Sequence, residues 1–227
     1  MAEKTGIPVI LLEAGDAGKN DEKAAALRKE LKESGLFYVN IMSAPGSGKS
    51  AILLRLISTL KEHGILCGVM EADRDARHDA AKFEEAGYEV LCLDTGGKYH
   101  LDATMSRKAI DGFAGHPLDA VFLENVGNLM SPPAYDTGAA LSIAVLSITD
   151  GDDMPKRYPH LFQKADLVII SKIDGLSSID FDLGSAERNI REQNDKAEIY
   201  PVSAVTGEGM DALTDAIEKR IREHNGK

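Results

Sequence analysis

The stretch "SAPGSGKS" at residues 43–50 sets Gly46, Gly48, Lys49 and Ser50 between an apolar run and an amphipathic one. Phosphate is the ligand such a loop suits. Glycines let backbone N–H groups turn inward around oxygen atoms, and the helix that follows adds its N-terminal dipole. Lys49 can reach β- and γ-phosphates, and the Ser50 hydroxyl can ligate Mg²⁺. The pattern G-x-x-x-x-G-K-[ST] is met except at its first glycine, where Ser43 stands. Pro45, Gly46, Ser47, Gly48, Lys49, Ser50 and Ala51 are the expected cradle. The plain alternative is a Gly/Ser turn that happens to precede a lysine, and the strand–loop–helix setting argues against it.

Further acids and loops stand where a phosphate site would use them. "AVFLENVG" (120–127) is an apolar run ending in Glu124, with Gly127 three residues on. A carboxylate there can hold Mg²⁺, and the glycine N–H can follow a γ-phosphate, as in the D-x-x-G pattern of nucleotide switches. "MEADRDARHDAAKF" (70–83) brings Glu71 and Asp73 to the end of another run. Asp73 is the residue favoured for holding Mg²⁺ or orienting the attacking water; Asp75, His78 and Asp79 read as a solvated loop. The expected catalytic set is Lys49, Asp73 and Glu124, and the expected Mg²⁺ set is Ser50, Asp73 and Glu124.

"SKID" (171–174) resembles the guanine-reading N-K-x-D pattern. Asp174 can accept hydrogen bonds from guanine N1 and N2, which adenine does not offer, and Lys172 can cover the base plane. Ser171 replaces the asparagine whose amide braces that loop. "PVSAVTG" (201–207) resembles the loop that closes over guanine O6, through Ser203, Ala204 and Val205. Both in this order behind a phosphate loop favour GTP over ATP, because buried polar groups reject the wrong base. In "TGGKYHLDA" (95–103), His100 can bind a metal with Asp102, move a proton, or hydrogen-bond at a helix start. The last is the commoner role of a lone histidine.

Strand-length apolar runs carry these loops, and they alternate with amphipathic segments. "LFYVNIM", "ILCGVMEA", "YEVLCLD", "LDAVFLEN", "AALSIAVLSIT", "ADLVIISK" and "KAEIYPVSA" read as strands, after a first short one, "IPVILLE". Helices are expected at "NDEKAAALRKELKES", with Asn20 as N-cap and Gly35 past the end, and at "KSAILLRLISTLKEH", "DAAKFEEAG", "DATMSRKAIDGF", "FDLGSAERNIREQN" and "MDALTDAIEKRIREH". Strands that are apolar throughout belong to a sheet covered on both faces. The expectation is a doubly wound, mostly parallel α/β sheet with its ligand site at the strands' carboxyl ends.

The 227 residues, 43% apolar, suffice for one domain: an extension over 1–19 and a nucleotide-binding body over 20–227. A net charge of −11 argues against nucleic acid or an anionic membrane surface as partner. Cys67 and Cys92 sit inside strand runs and read as small hydrophobes, not as a disulfide framework. With no membrane-length apolar run and no signal-peptide pattern, the expected location is the cytoplasm.

The order of motifs resembles one family, the HypB-type GTPases that assist nickel insertion into NiFe hydrogenases. "NDEKAAALRKELKESGLFYVNIMSAPGSGKS" is similar to the segment leading into that family's phosphate loop. "TGGKYHLDA", "LENVGNL" and "ITDGDDMPKRYP" are similar to its most distinctive stretches, so the resemblance runs from about residue 20 to the C-terminus. It implies a nucleotide-dependent homodimer, slow Mg²⁺-dependent hydrolysis of GTP to GDP, and nickel delivery to a hydrogenase large subunit or another maturation protein. The urease accessory GTPase, with its C-P-H metal motif, is a poorer match. Departures gather at one place. Tyr99 precedes His100 where the family usually carries cysteine, and Ser131 follows "NVGNL" where a second cysteine is usual. Ni²⁺ or Zn²⁺ at His100 therefore lacks its soft thiolate donors. Met154 stands where lysine is expected, and Ala76 where threonine is. A GTP-gated protein-binding scaffold that carries no metal is the alternative function; a P-loop kinase would leave the guanine motifs unexplained.

Overall fold

The computed structural model describes residues 7–72 and 76–226, with the backbone alone at 76–78. The chain runs β1 (Val9–Leu11), α1 (Asn20–Ser34), β2 (Phe37–Ser43), α2 (Lys49–Glu62), β3 (Cys67–Glu71), α3 (Ala76–Glu85), β4 (Glu89–Asp94) and α4 (Ala103–Asp111). It continues through β5 (Ala120–Glu124), β6 (Leu141–Ser147), α5 (Met154–Arg157), α6 (Pro159–Gln163), β7 (Leu167–Ser171), α7 (Leu183–Gln193), β8 (Glu198–Val202) and α8 (Met210–Asn225). The strands form one sheet in the order β1-β4-β3-β5-β2-β6-β7-β8. Every neighbouring pair is parallel.

The central strands are buried at every position because both faces are covered. Successive side chains of β2 point to opposite faces. Phe37, Val39 and Ile41 join Leu53, Leu56, Phe83, Leu213 and Ile217 on the face covered by α2, α3 and α8. Tyr38 packs on the other face with Leu27 and Leu31 of α1 and Met105 of α4, and Met42 packs there with Phe162 of α6 and Ile190 of α7. β2 lies between β5 and β6, so the chain winds away from it in both directions. That switch opens a crevice at the carboxyl ends of the strands.

Local details differ from the sequence expectation at three places. The first strand covers only Val9–Leu11, at the sheet edge beside β4. Asn20 is not an N-cap: a 3-10 turn over Ala17–Lys19, capped by Asp16, precedes α1. The Asn20 amide donates to Asp136 O (2.9 Å) and accepts from Ala103 N (3.0 Å), tying α1 to α4. "ITDGDDMPKRYP" folds into a capped 3-10 turn and the short helices α5 and α6, each with proline in its first turn. Prolines at helix starts were the available signal for them. Cys67 and Cys92 are buried and form no disulfide, as expected, and burial pushes the Cys67 thiol up to about 12. No helix among the described residues is long and apolar enough to cross a membrane.

Gly209 fixes the turn between β8 and α8, the turn that carries Ser203–Val205. Its φ is +73°, and a Cβ there would lie 2.1 Å from Pro201 O. Gly209→Ala is expected to destabilise the protein by about 1–3 kcal/mol through left-handed strain and that clash. A urea midpoint equal to the parent's would show instead that the turn relaxes freely.

Candidate functional site

The phosphate-loop residues lie between β2 and α2, where the strand must turn sharply into the helix. Gly46 and Gly48 make that turn at φ +73° and +92°. Ser43, the departure from the glycine pattern, is fully buried and braces the loop. Its hydroxyl donates to Ala44 O (2.7 Å) and accepts from Ser47 Oγ (2.6 Å). Pro45 lies within the loop, and Lys49, Ser50 and Ala51 form the first turn of α2.

Lys49 is only 5% exposed, and its Nζ lies 3.9 Å from Glu124 Oε1 at the end of β5. Ser50 Oγ donates to the same oxygen at 2.8 Å. The sequence-expected partners Lys49, Ser50 and Glu124 therefore meet. Asp73 lies outside the described residues. Glu71, passed over in its favour, ends β3 in register with Glu124 and is fully buried. Among the described residues Glu71 and Glu124 Oε2 meet no donor beyond the contact between the two carboxyl groups. Burial, then the adjacent Glu124, pushes Glu71 well above the usual carboxylate range. Burial also raises Glu124, with Lys49 and Ser50 pulling it back. A charged residue ending an otherwise apolar strand was the signal for Glu71. Gly127 lies in the loop after Glu124; before it, Asn125 donates through its side chain to Asn40 Oδ1 (2.9 Å).

The loop after β7 comes to the same edge. Ser171 Oγ donates to Ser47 O at 2.7 Å, and Lys172 Nζ donates to Gly46 O at 2.7 Å. Serine in place of asparagine thus still braces this loop, through its hydroxyl. Lys172 holds the left-handed φ of 64°, alone among the described non-glycine residues. Asp174 follows in a 3-10 turn, and its Oδ1 accepts from Ser203 Oγ at 2.6 Å. Ser203 Oγ in turn accepts from Val205 N and Thr206 N, and Ala204 O accepts from Arg55. Val205 is 81% exposed.

His100 does not cap a helix. Asp102 caps α4, accepting from Met105 N (2.8 Å) through Oδ1 and from Gly15 N (2.6 Å) through Oδ2. The His100 ring stacks on Tyr135, centroids 3.7 Å apart and planes 4° from parallel. Burial, then Lys98, holds its pKa below the usual histidine value. Tyr99 is exposed, and the backbone N–H of Ser131 donates to Asn128 Oδ1. No group of three or more His, Cys, Asp or Glu that could hold a metal occurs among the described residues. Met154 is buried in α5, while Lys156 pairs with Glu192 and Arg157 with Asp153.

A cleft of about 670 Å³ opens at the opposite end of the sheet, lined by Phe37, Leu141, Asp166, Glu198 and Arg220. Ligands of doubly wound sheets bind at the carboxyl ends, where the motifs converge and this cleft does not lie.

A parallel sheet with a glycine loop, a buried lysine and a strand-end carboxylate at its switch point defines the P-loop class of α/β folds. The sequence profile described as "CobW/HypB/UreG, nucleotide-binding domain" matches residues 37–201. The hydrogenase maturation factor HypB of Rhizobium leguminosarum bv. viciae is 41% identical over 90% of this chain and 68% of its own. The crystal structure of HypB from Helicobacter pylori in complex with nickel superposes with a TM-score of 0.84 at 32% identity, covering 91% of this chain and 97% of that one. HypB from Archaeoglobus fulgidus gives 0.83 at 30% identity, covering 90% and 99%. The chain belongs to the CobW/HypB/UreG family of nucleotide-binding domains, and within it to the HypB group.

Proposed function

We propose that the chain is a Mg²⁺-dependent GTPase, cleaving GTP to GDP and phosphate, that acts as a nucleotide-switched maturation factor for nickel insertion into NiFe hydrogenase. One observation carries most of this reading: the loop bearing Lys172 and Asp174 is bonded directly to the phosphate loop, through Ser171 to Ser47 O and Lys172 to Gly46 O. A single guanine nucleotide then spans both loops, its phosphates on 45–51 and its base between Lys172, Asp174 and Ser203–Val205. The donors Ser50, Glu124 and Asp73 are hard oxygens that suit Mg²⁺. Bound Mg²⁺ would neutralise charge on the β- and γ-phosphates. Lys49 adds its charge to the same oxygens, Asp73 orients the attacking water, and Gly127 reports the γ-phosphate. Such catalysis is positioning and electrostatics, so the rate stays low until a partner completes the site.

The working form is a single-domain chain in a nucleotide-dependent homodimer in the cytoplasm, with a hydrogenase large subunit or another maturation protein as partner and nickel as cargo. With Mg²⁺ and labelled GTP, phosphate release on the order of 10⁻⁴ to 10⁻² per second is expected. Release no faster than from a Lys49→Ala control would overturn the GTPase assignment.

A GTP-gated scaffold that carries no metal is favoured by one feature of the metal loop. Both Asp102 oxygens are already engaged, and His100 lies flat on Tyr135. Equilibrium dialysis with Ni²⁺ and Zn²⁺, with and without GTP, separates the two. Stoichiometric binding lost in His100→Ala supports the carrier, and no binding in either state supports the scaffold.

A further inference from the structure

We propose that Glu71 is a second carboxylate of the divalent-cation seat, working beside Glu124 to couple nucleotide binding to Mg²⁺. This rests on the GTPase reading above and adds a residue to it. Glu71 and Glu124 end neighbouring parallel strands as register partners, and the pairing continues one step further through Ala72 N to Glu124 O (3.1 Å). Both side chains are buried, 0% and 3% exposed. Among the described residues Glu124 Oε1 takes Ser50 Oγ at 2.8 Å and Lys49 Nζ at 3.9 Å. The other three oxygens meet no further donor, and the Glu71 and Glu124 carboxyls lie against each other.

Two buried carboxyl groups set against each other are costly unless a proton or a cation is shared between them. A purely structural role would bond them to backbone N–H groups, as Asp102 does with Gly15 and Met105. The pair instead lies beside Lys49 and Ser50 in the first turn of α2, the turn proposed above to hold nucleotide phosphates. A hard divalent cation takes oxygen ligands and keeps several of its waters, so it can serve both carboxylates and the phosphates together. Glu71 then acts on the ion or on a water held by it, as a positioning residue for the cation.

The test measures GDP affinity of the whole chain in EDTA and in excess Mg²⁺, with Mn²⁺ affinity in the presence of GDP read by electron paramagnetic resonance. Glu71→Gln keeps the shape and removes the charge. It is expected to cut the Mg²⁺ enhancement of GDP affinity, and the Mn²⁺ affinity, by about 10–100-fold. Glu71→Asp, which retains the charge, is expected to restore part of both and serves as the test if the glutamine variant does not fold. Equal enhancement in parent and Glu71→Gln overturns the assignment of Glu71 alone. A parent chain that binds no GDP in either condition overturns the nucleotide reading and this inference with it.

Discussion

Replacing Lys49 with alanine is expected to lower GDP and GTP affinity by roughly 100-fold or more, about 3 kcal/mol, in a titration with a fluorescent nucleotide. Lys49 is 5% exposed at the start of α2, so its ammonium acts where water screens little. Its neighbour is Glu124 Oε1 at 3.9 Å. The substitution therefore removes the phosphate cation and also leaves the buried Glu124 without its cationic neighbour. The second effect lowers stability, because breaking a buried ion pair from one side strands the other charge. Lys49→Met separates the two: it keeps the apolar stem and should recover part of the thermal midpoint while binding stays lost. Parent-like GTP affinity in both variants would remove the phosphate loop from the site.

Asp174→Asn is expected to move base preference from guanine to xanthine. A carboxylate only accepts, which matches the N1–H and 2-amino donors of guanine; adenine has neither group at those positions. An asparagine amide keeps one acceptor and adds a donor, which opposes the 2-amino group and suits the 2-carbonyl of xanthine. Competition against a labelled nucleotide should show GDP weakened by about 100-fold or more, with the xanthine diphosphate binding within about tenfold of the parent's GDP affinity. The surrounding loop should survive, because Asn Oδ1 can still accept from Ser203 Oγ, as Asp174 does at 2.6 Å. An unchanged ratio of GDP to ADP affinity would show that Asp174 does not read the base.

Much of the candidate site is legible in the sequence. "GSGKS", "LENVG", "SKID" and "PVSA" are short, and each is local in the sense that one strand end and one turn supply all its residues. Apolar runs flanking them dictated a sheet covered on both faces, and the sheet is parallel throughout. Boundaries were less legible. Asn20 has the side chain of an N-cap, yet Asp16 caps the turn before it, and Asn20 bonds to Asp136 and Ala103 across the fold. His100 had three open roles; the stack on Tyr135 and the capping of α4 by Asp102 remove the helix-cap role. Ser171 looked like the loss of a brace and is a brace, because its partner Ser47 O is 124 residues away.

The amino-acid sequence on its own specified the alternation of strands and helices and the strand-end loops proposed to hold phosphate and guanine. These depend on residue type, period and spacing, all of which are properties of neighbours along the chain. Folding brought Glu71, one of the acids near the end of β3, against Glu124. Glu71 meets Glu124 because β3 pairs with β5, a strand about fifty residues later, and no local pattern encodes that pairing. The same holds for the union of the base loop with the phosphate loop, and for the flat packing of His100 on Tyr135. Each comes from strand order, which is selected by burying both faces of the sheet at once and so belongs to the whole chain.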